Sequence, residues 1–431
     1  MTKAFEFLTG LPGSHDRGQR VGITSVCSAH PLVIKAAMAE ASETGQPLLI
    51  EATCNQVNQE GGYTDMTPAD FAGFVLNLAA TVDFPIDQIL LGGDHLGPNP
   101  WRDKPAEYAM EKAVVMTHDY AAAGFGKIHL DASMACSGDP EPLPPETIAS
   151  RAANLAQAAE AGAKAGGHES PIYVIGTEVP IPGGVAEQIQ DLEVTRKEDA
   201  NQSLAVHQAA FSAKGLDAVF QRCVGLVVQP GVEYGSANVI AFNPEKAGDL
   251  ANWRDQHGGF LFEAHSTDYQ TTVALAALVQ GGFGILKVGP GLTFAMREAF
   301  YGLDAIAAIL DPSYPAGQLQ DKMEQLTVAK PDQWNAYYFG TKTERQFQRH
   351  FSFSDRIRYY WNDEIAADAV KKLFSALEAK TIPAPLISQY MPRLFDDVQS
   401  GAVKALAPDL VQAAIRKMLN PYSRACSVQD V

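Results

Sequence analysis

Residues 88–95 read QILLGGDH: three apolar residues, two glycines, then a carboxylate and an imidazole. A short apolar run that turns polar only at its end is the signature of a strand buried on both faces. The same pattern recurs on either side. It appears at 20–28 (RVGITSVCS), 47–53 (PLLIEAT), 127–133 (KIHLDAS) and 171–179 (PIYVIGTEV), then at 223–230 (CVGLVVQP), 259–266 (GFLFEAHS) and 283–291 (FGILKVGPG). Between these runs lie Ala-, Leu- and Glu-rich segments long enough for helices, at 31–43, 67–82, 105–123, 145–163, 196–214, 244–256, 268–279 and 293–310. Thr67-Pro68 and Asn243-Pro244 each supply a cap and a first-turn proline. Eight strand–helix alternations predict an α/β fold, a closed (β/α)8 TIM barrel. An open doubly wound sheet would carry a glycine-rich dinucleotide fingerprint after its first strand, and the sequence has none there.

The texture changes after residue 310. The chain is therefore divided into a barrel, 1–310, carrying the site, and a mainly helical C-terminal extension, 311–431, packed on the barrel or on a partner. Helical stretches are expected at 364–378 and 409–419, and the aromatic clusters WNAYYFG and RIRYYW are read as packing residues.

Composition narrows the function. Of 431 residues 46% are hydrophobic and 19% charged, enough apolar material for a large core and incompatible with a disordered chain. The formal net charge of -17 argues against nucleic acid, which attracts basic surfaces. No stretch reaches the roughly 18 apolar residues of a membrane span, and the N-terminus lacks the basic-then-apolar layout of a secretory signal. Five cysteines without a C-x-x-C pair fit a reducing, cytoplasmic setting. No chemistry is assigned to any of them.

In such a barrel the active site lies at the C-terminal ends of the strands, and polar groups collect there. Strand two ends in Glu51, Thr53 and Asn55, and strand three in Asp94 and His95. Strand four carries His129, Asp131 and Ser133. Strand five ends in Thr177 and Glu178, and strand six in Gln229, with Glu233 beyond it. Strand seven supplies Glu263, His265 and Ser266, and strand eight Lys287, Gly289 and Gly291. His95 and His265 are the candidate metal ligands, with Glu178 and Glu233 as carboxylate contributors, because a catalytic zinc site commonly combines three protein ligands with an open position. Asp94, adjacent to His95 but directed differently, suits a general base. Ser266, Gly289, Gly291 and Thr293 lead into helix N-termini, where unpaired N–H groups favour a phosphate, with Lys287 or Arg297 as counter-charge.

At these residues the chain resembles the GatZ/KbaZ family, proteins named as tagatose-bisphosphate aldolase subunits, with relatives that act as D-tagatose 6-phosphate 4-epimerases. The segments that carry the resemblance are SVCSAHPLVI (25–34), IEATCNQVNQEGGYTDMTPADF (50–71), LGGDHLGPN (91–99) and KIHLDASMAC (127–136). They continue through YVIGTEVPIPGG (173–184), VVQPGVEYGSANVI (227–240), EAHSTDYQT (263–271) and LKVGPGLTFAMREA (286–299), then SDRIRYYW (354–361) and ISQYMP (387–392). The family is similar in turn to the class II aldolases, zinc-dependent barrels that cleave ketose phosphates. The resemblance makes Asp94-His95 look like the base and metal-ligand pair, and His265 like the ligand at the end of strand seven. Class II aldolases add a second histidine at strand six, where this chain reads QPGVE (229–233). Glu233, Glu178 or Gln229 would have to take its place.

The expectation is a metal-dependent epimerase in galactitol/tagatose-type carbohydrate catabolism, acting on a ketohexose phosphate with one divalent ion (zinc, or manganese or cobalt) and no nucleotide. Asp94 and Glu178 are assigned to catalysis, and His95, His265 and Glu233 to the metal. Glu51, Asn55, Asp131, Ser133, Gln229, Ser266, Lys287, Gly289, Gly291 and Thr293 are assigned to the substrate. Residues 180–195 are read as a lid. The alternative is a non-catalytic stabilising subunit partnered with a catalytic class II aldolase subunit. A sugar kinase finds no P-loop or glycine-rich ATP loop in the sequence. Homo-oligomerisation is left open.

Overall fold

The computed structural model describes residues 2–177 and 192–427. Glu178 and most of the expected lid at 180–195 lie outside the described residues. Eight parallel strands close on themselves: β1 (Ile23–Cys27), β2 (Leu48–Thr53), β3 (Ile89–Leu96), β4 (Lys127–Leu130), β5 (Ile172–Ile175), β6 (Cys223–Val227), β7 (Leu261–Ala264) and β8 (Ile285–Val288). Each pairs with its sequence neighbour, and β8 pairs with β1 through Ile23↔Ile285 to Val26↔Val288. The fold is the predicted (β/α)8 barrel. Most strands are shorter than the apolar runs that announced them, because the polar residues at their C-terminal ends leave the ladder to build the rim.

The helices follow the capping chemistry. Thr67 accepts from the Asp70 amide, while the Asp70 carboxylate accepts from the Thr67 amide, starting Pro68–Thr81 with a capping box. The Asn243-Pro244 start is displaced. Asn243 caps only the Glu245 amide, and the helix forms at Gly248–His257. A helix that the sequence reading passed over, Lys3–Asp16, closes the bottom of the barrel. Its Ala4, Leu8 and Leu11 pack with inward residues from most of the strands, such as Leu49, Leu90 and Ile285. That end of the barrel is thus filled by apolar side chains.

The C-terminal region is helical and returns to the barrel. Its last helix, Ala407–Cys426, lies against the helices Pro31–Thr44, Thr272–Gln280 and Pro290–Leu310. It is fastened by the Gly22 amide donating to the Cys426 carbonyl and by the Tyr422 hydroxyl donating to the Thr267 carbonyl. One contiguous apolar core runs from Val26 in β1 to Cys426 in this helix. Among the described residues no helix is long and apolar enough to cross a membrane.

Candidate active site

Successive side chains of a strand point to opposite faces, so Asp94 and His95 should diverge. They do not. The β3–β4 register slips between Gly93 and Leu96, and His95 takes a left-handed backbone conformation with φ of 50°. This irregularity turns both neighbours into the barrel mouth. It requires close contact with the next strand. A Cβ on Gly97 would sit 1.5 Å from the Asp131 carbonyl oxygen, so only glycine fits there. Ser266, just after β7, is also left-handed at 53°, and unusual backbone of this kind gathers at functional sites.

Asp94, His95, His129 and His265 each bring one donor atom into a group whose members lie within 4.8 Å of one another, all of them buried. The imidazole centroids are 4.8–5.2 Å apart. Hydrogen bonds orient each ring. His95 Nδ1 meets Asp131 Oδ2 at 2.8 Å, and Ser133 donates to the other Asp131 oxygen, which leaves His95 Nε2 facing Asp94. His265 Nε2 meets Glu263 Oε1 at 2.9 Å, leaving Nδ1 as its lone-pair nitrogen. His129 Nδ1 has two neighbours, Asp94 Oδ1 at 3.1 Å and the His95 amide at 3.2 Å, and it cannot donate to one while accepting from the other. With the proton on Nδ1 and given to Asp94, Nε2 is a buried lone pair, and Nε2 has no partner among the described residues. Three oriented imidazoles beside a carboxylate, one nitrogen orphaned, fit the donor set of a divalent cation.

Beneath this group lies a buried ionic layer. Lys127 reaches Glu51 and Glu263 at 2.7 Å each, Ser25 donates to Glu51, and Lys287 contacts Asp94 and lies 3.5 Å from both glutamates. A Cβ on Gly92 would come within 2.7 Å of the Glu51 side chain, so that glycine makes room for the layer. Two lysines against Glu51, Glu263 and Asp94 leave one net negative charge, which suits a cation above. Burial alone would raise Asp94, but His95, Lys287 and His129 together hold it well below the usual carboxylate range. Burial, reinforced by Lys287, pushes His265 down to about 3, so it stays neutral.

The remaining expected residues separate into two sets. Asn55, Ser266, Lys287 and Gly289 line a cavity above the cluster together with Asp94, His95 and His265. Its volume is about 90 Å³. The others are engaged elsewhere. Gln229 Oε1 accepts from the Gly231 and Val232 amides and shapes the turn after β6. Glu233 opens a short antiparallel ribbon (Glu233–Tyr234 with Val239–Ile240), accepts from the Tyr234 amide, and stands outside the four-residue group. Burial raises it to about 7. The helix start expected to receive a phosphate is filled: the Gly289 and Gly291 amides both donate to Asp268 Oδ1, at 3.0 and 2.7 Å. Thr293 and Arg297 hold Asp355 instead, at 2.7 and 2.9 Å.

His129, Arg358 and Tyr359 are among the residues of the site not assigned from the sequence. His129 stood out only as an imidazole interrupting an otherwise apolar strand. Arg358 and Tyr359, in the cluster read as packing, line the cavity from the C-terminal region. Their signal was two arginines within an aromatic run.

A family model described as "D-tagatose-1,6-bisphosphate aldolase subunit GatZ/KbaZ-like" matches residues 8–427. The chain belongs to the GatZ/KbaZ family. This GatZ/KbaZ protein is 47% identical over 419 residues, 97% of its own length and 98% of the other, to a D-tagatose 6-phosphate 4-epimerase of Agrobacterium fabrum. It is also similar to the crystal structure of a probable tagatose 6 phosphate kinase from Sinorhizobium meliloti 1021, with 51% identity and a TM-score of 0.88. That match covers 94% of this GatZ/KbaZ chain and all of the other.

Proposed function

We propose that this protein is a metal-dependent epimerase that interconverts D-tagatose 6-phosphate and D-fructose 6-phosphate at C4, within galactitol/tagatose-type carbohydrate catabolism. The observation that carries the proposal is the group of three imidazoles with Asp94 at the open end of the barrel. It occurs in a chain 47% identical to a protein of that name. C4 is not adjacent to the C2 carbonyl, so enolisation cannot invert it. Its hydroxyl is β to that carbonyl, the arrangement that retro-aldol cleavage uses.

His95, His129 and His265 would hold a divalent cation, zinc first, with manganese or cobalt able to replace it. Such an ion supplies Lewis acidity to a ketose carbonyl. Asp94, kept ionised by Lys287, takes the C4 hydroxyl proton as the C3–C4 bond breaks, leaving an aldehyde and a three-carbon enediolate. The aldehyde turns over in the closed-bottom barrel, C3 adds to its other face, and Asp94 returns the proton to the new C4 oxygen. Glu263 and Asp131 orient the imidazoles.

The accessory-subunit reading drew on the histidine missing from strand six. His129, arriving from β4, completes a three-imidazole set without it. The test is to assay the purified chain alone on tagatose 6-phosphate. Interconversion abolished by EDTA, restored by Zn²⁺, Mn²⁺ or Co²⁺, and lost in Asp94→Asn is the expected result. No turnover alone, together with activation of an added aldolase subunit, would establish the accessory role.

A further inference from the structure

A sugar phosphate needs a cationic receptor, and the rim conventionally expected to provide it is occupied. The Gly289 and Gly291 amides are bound to Asp268. Lys287 is committed to Asp94, Glu51 and Glu263. Arg297 is paired with Asp355 away from the cavity. Among the described residues one cation remains on the cavity wall, Arg358.

Its surroundings distinguish it from Arg254, Arg297 and Arg349, which form ion pairs. Arg358 Nη1 donates to the Ser354 and Asp355 carbonyls, and Nη2 donates to the Tyr359 hydroxyl at 2.7 Å. These are neutral acceptors. Among the described residues Arg358 forms no ion pair, although Asp355 and Asp268 are its nearest carboxylates in electrostatic effect. Asp355 is taken by Arg297 and Thr293, and Asp268 by the two amides. Among the described residues the guanidinium is thus fixed by its own backbone and the Tyr359 hydroxyl without a direct ion pair, at the mouth of a cavity proposed to take a sugar phosphate. The segment bearing it is held across the rim by a left-handed turn and two further contacts. Asp355 takes a left-handed conformation (φ 44°), the Tyr269 hydroxyl donates to the Phe353 carbonyl at 2.6 Å, and Tyr359 packs edge-on against Tyr63 at 4.8 Å.

We infer that Arg358, carried by the C-terminal region and not by the barrel, is the receptor for the phosphate monoester of the substrate, with the Tyr359 hydroxyl beside it. The identity of the ligand rests on the sugar-phosphate reading above; the anion site itself does not. Arginine suits this task because its planar fork can spare N–H groups for a phosphate while others stay anchored.

The experiment compares wild type, Arg358→Gln and Arg358→Lys at equal metal content. Thermal melts are recorded against inorganic phosphate, and steady-state kinetics on tagatose 6-phosphate and on unphosphorylated tagatose. Phosphate should raise the melting temperature of wild type, not of R358Q, and partly of R358K. For the phosphorylated sugar, kcat/KM should fall about 10- to 100-fold in R358Q, the loss expected for charge-assisted hydrogen bonds. The much smaller value for free tagatose should fall far less, a selectivity that a purely structural defect would not produce. Equal phosphate stabilisation of wild type and R358Q would overturn the inference, as would a wild-type melt insensitive to millimolar phosphate, or equal loss on both sugars. Arg358-dependent phosphate binding in a protein that does not turn over tagatose 6-phosphate would uphold the anion site and sink the substrate reading instead.

Discussion

His129 contributes a buried nitrogen that nothing among the described residues satisfies, and a native fold rarely keeps such an atom without use. Replacing the ring by glutamine preserves a polar side chain but removes the imidazole lone pair. His129→Gln should therefore fold normally and lose affinity for Zn²⁺ by more than about 100-fold, since even an outer-shell partner is worth 10- to 100-fold. Competition with a chromophoric chelator measures this, and wild-type affinity in the variant would remove His129 from the site. Glu233 poses a different question, because it sits buried beside Ser266 outside the cluster and its pKa rises from 4.5 to about 7. Between those two values the folded chain holds a proton that the unfolded chain has released. Unfolding free energy should thus fall as pH rises from about 4.5 to 7, by at most about 3 kcal/mol. Glu233→Gln should flatten that part of the profile in chemical denaturation. An identical profile in the variant would mean that Glu233 is charged in the native state, as a metal ligand would be.

Two elements make the site possible. The irregularity in β3 lets consecutive residues serve one centre, which a regular strand forbids. The segment around Asp355 carries Arg358 and Tyr359 over the rim, and its anchor is the buried Arg297–Asp355 pair, 1% and 0% exposed. Asp355→Ala would strand the Arg297 charge in the core, at a cost of about 3–5 kcal/mol. It should also weaken phosphate-dependent activity more than zinc binding, because the proposed metal ligands stand on β3, β4 and the rim after β7. Comparing its denaturant midpoint, metal content and KM with wild type checks this. A variant as stable as wild type would show that the anchor lies elsewhere.

Across the whole molecule the C-terminal region is a structural part of the barrel. Leu410, Val411, Ile415, Leu419 and Tyr422 of the last helix are all 2% exposed or less. At about 1.5–3 kcal/mol each they contribute about 8–15 kcal/mol, as much as the entire net stability of a typical domain. A chain ended at residue 406 should consequently aggregate or lose its near-ultraviolet circular dichroism and cooperative melt. A soluble truncated barrel with a sharp transition would contradict this.

The eight strands and their intervening helices were legible in the sequence for a local reason: a strand covered on both faces must be apolar along its length, and a helix start needs a cap nearby. Asp94, His95 and His265 were legible because they break that apolar pattern where a barrel puts its chemistry. Three matters required the folded chain. Asp94 and His95 converge only through a register slip set by the close approach of Gly97 to β4. The third imidazole comes from β4, where class II aldolases use strand six. The anion corner is closed by Asp268, while a guanidinium stands open on the cavity wall 93 positions after His265 in the chain. Local sequence determines which segments bury themselves and which polar groups end up at the rim; which of those groups find each other, and which neutralise one another, depends on distances between strands that only packing decides.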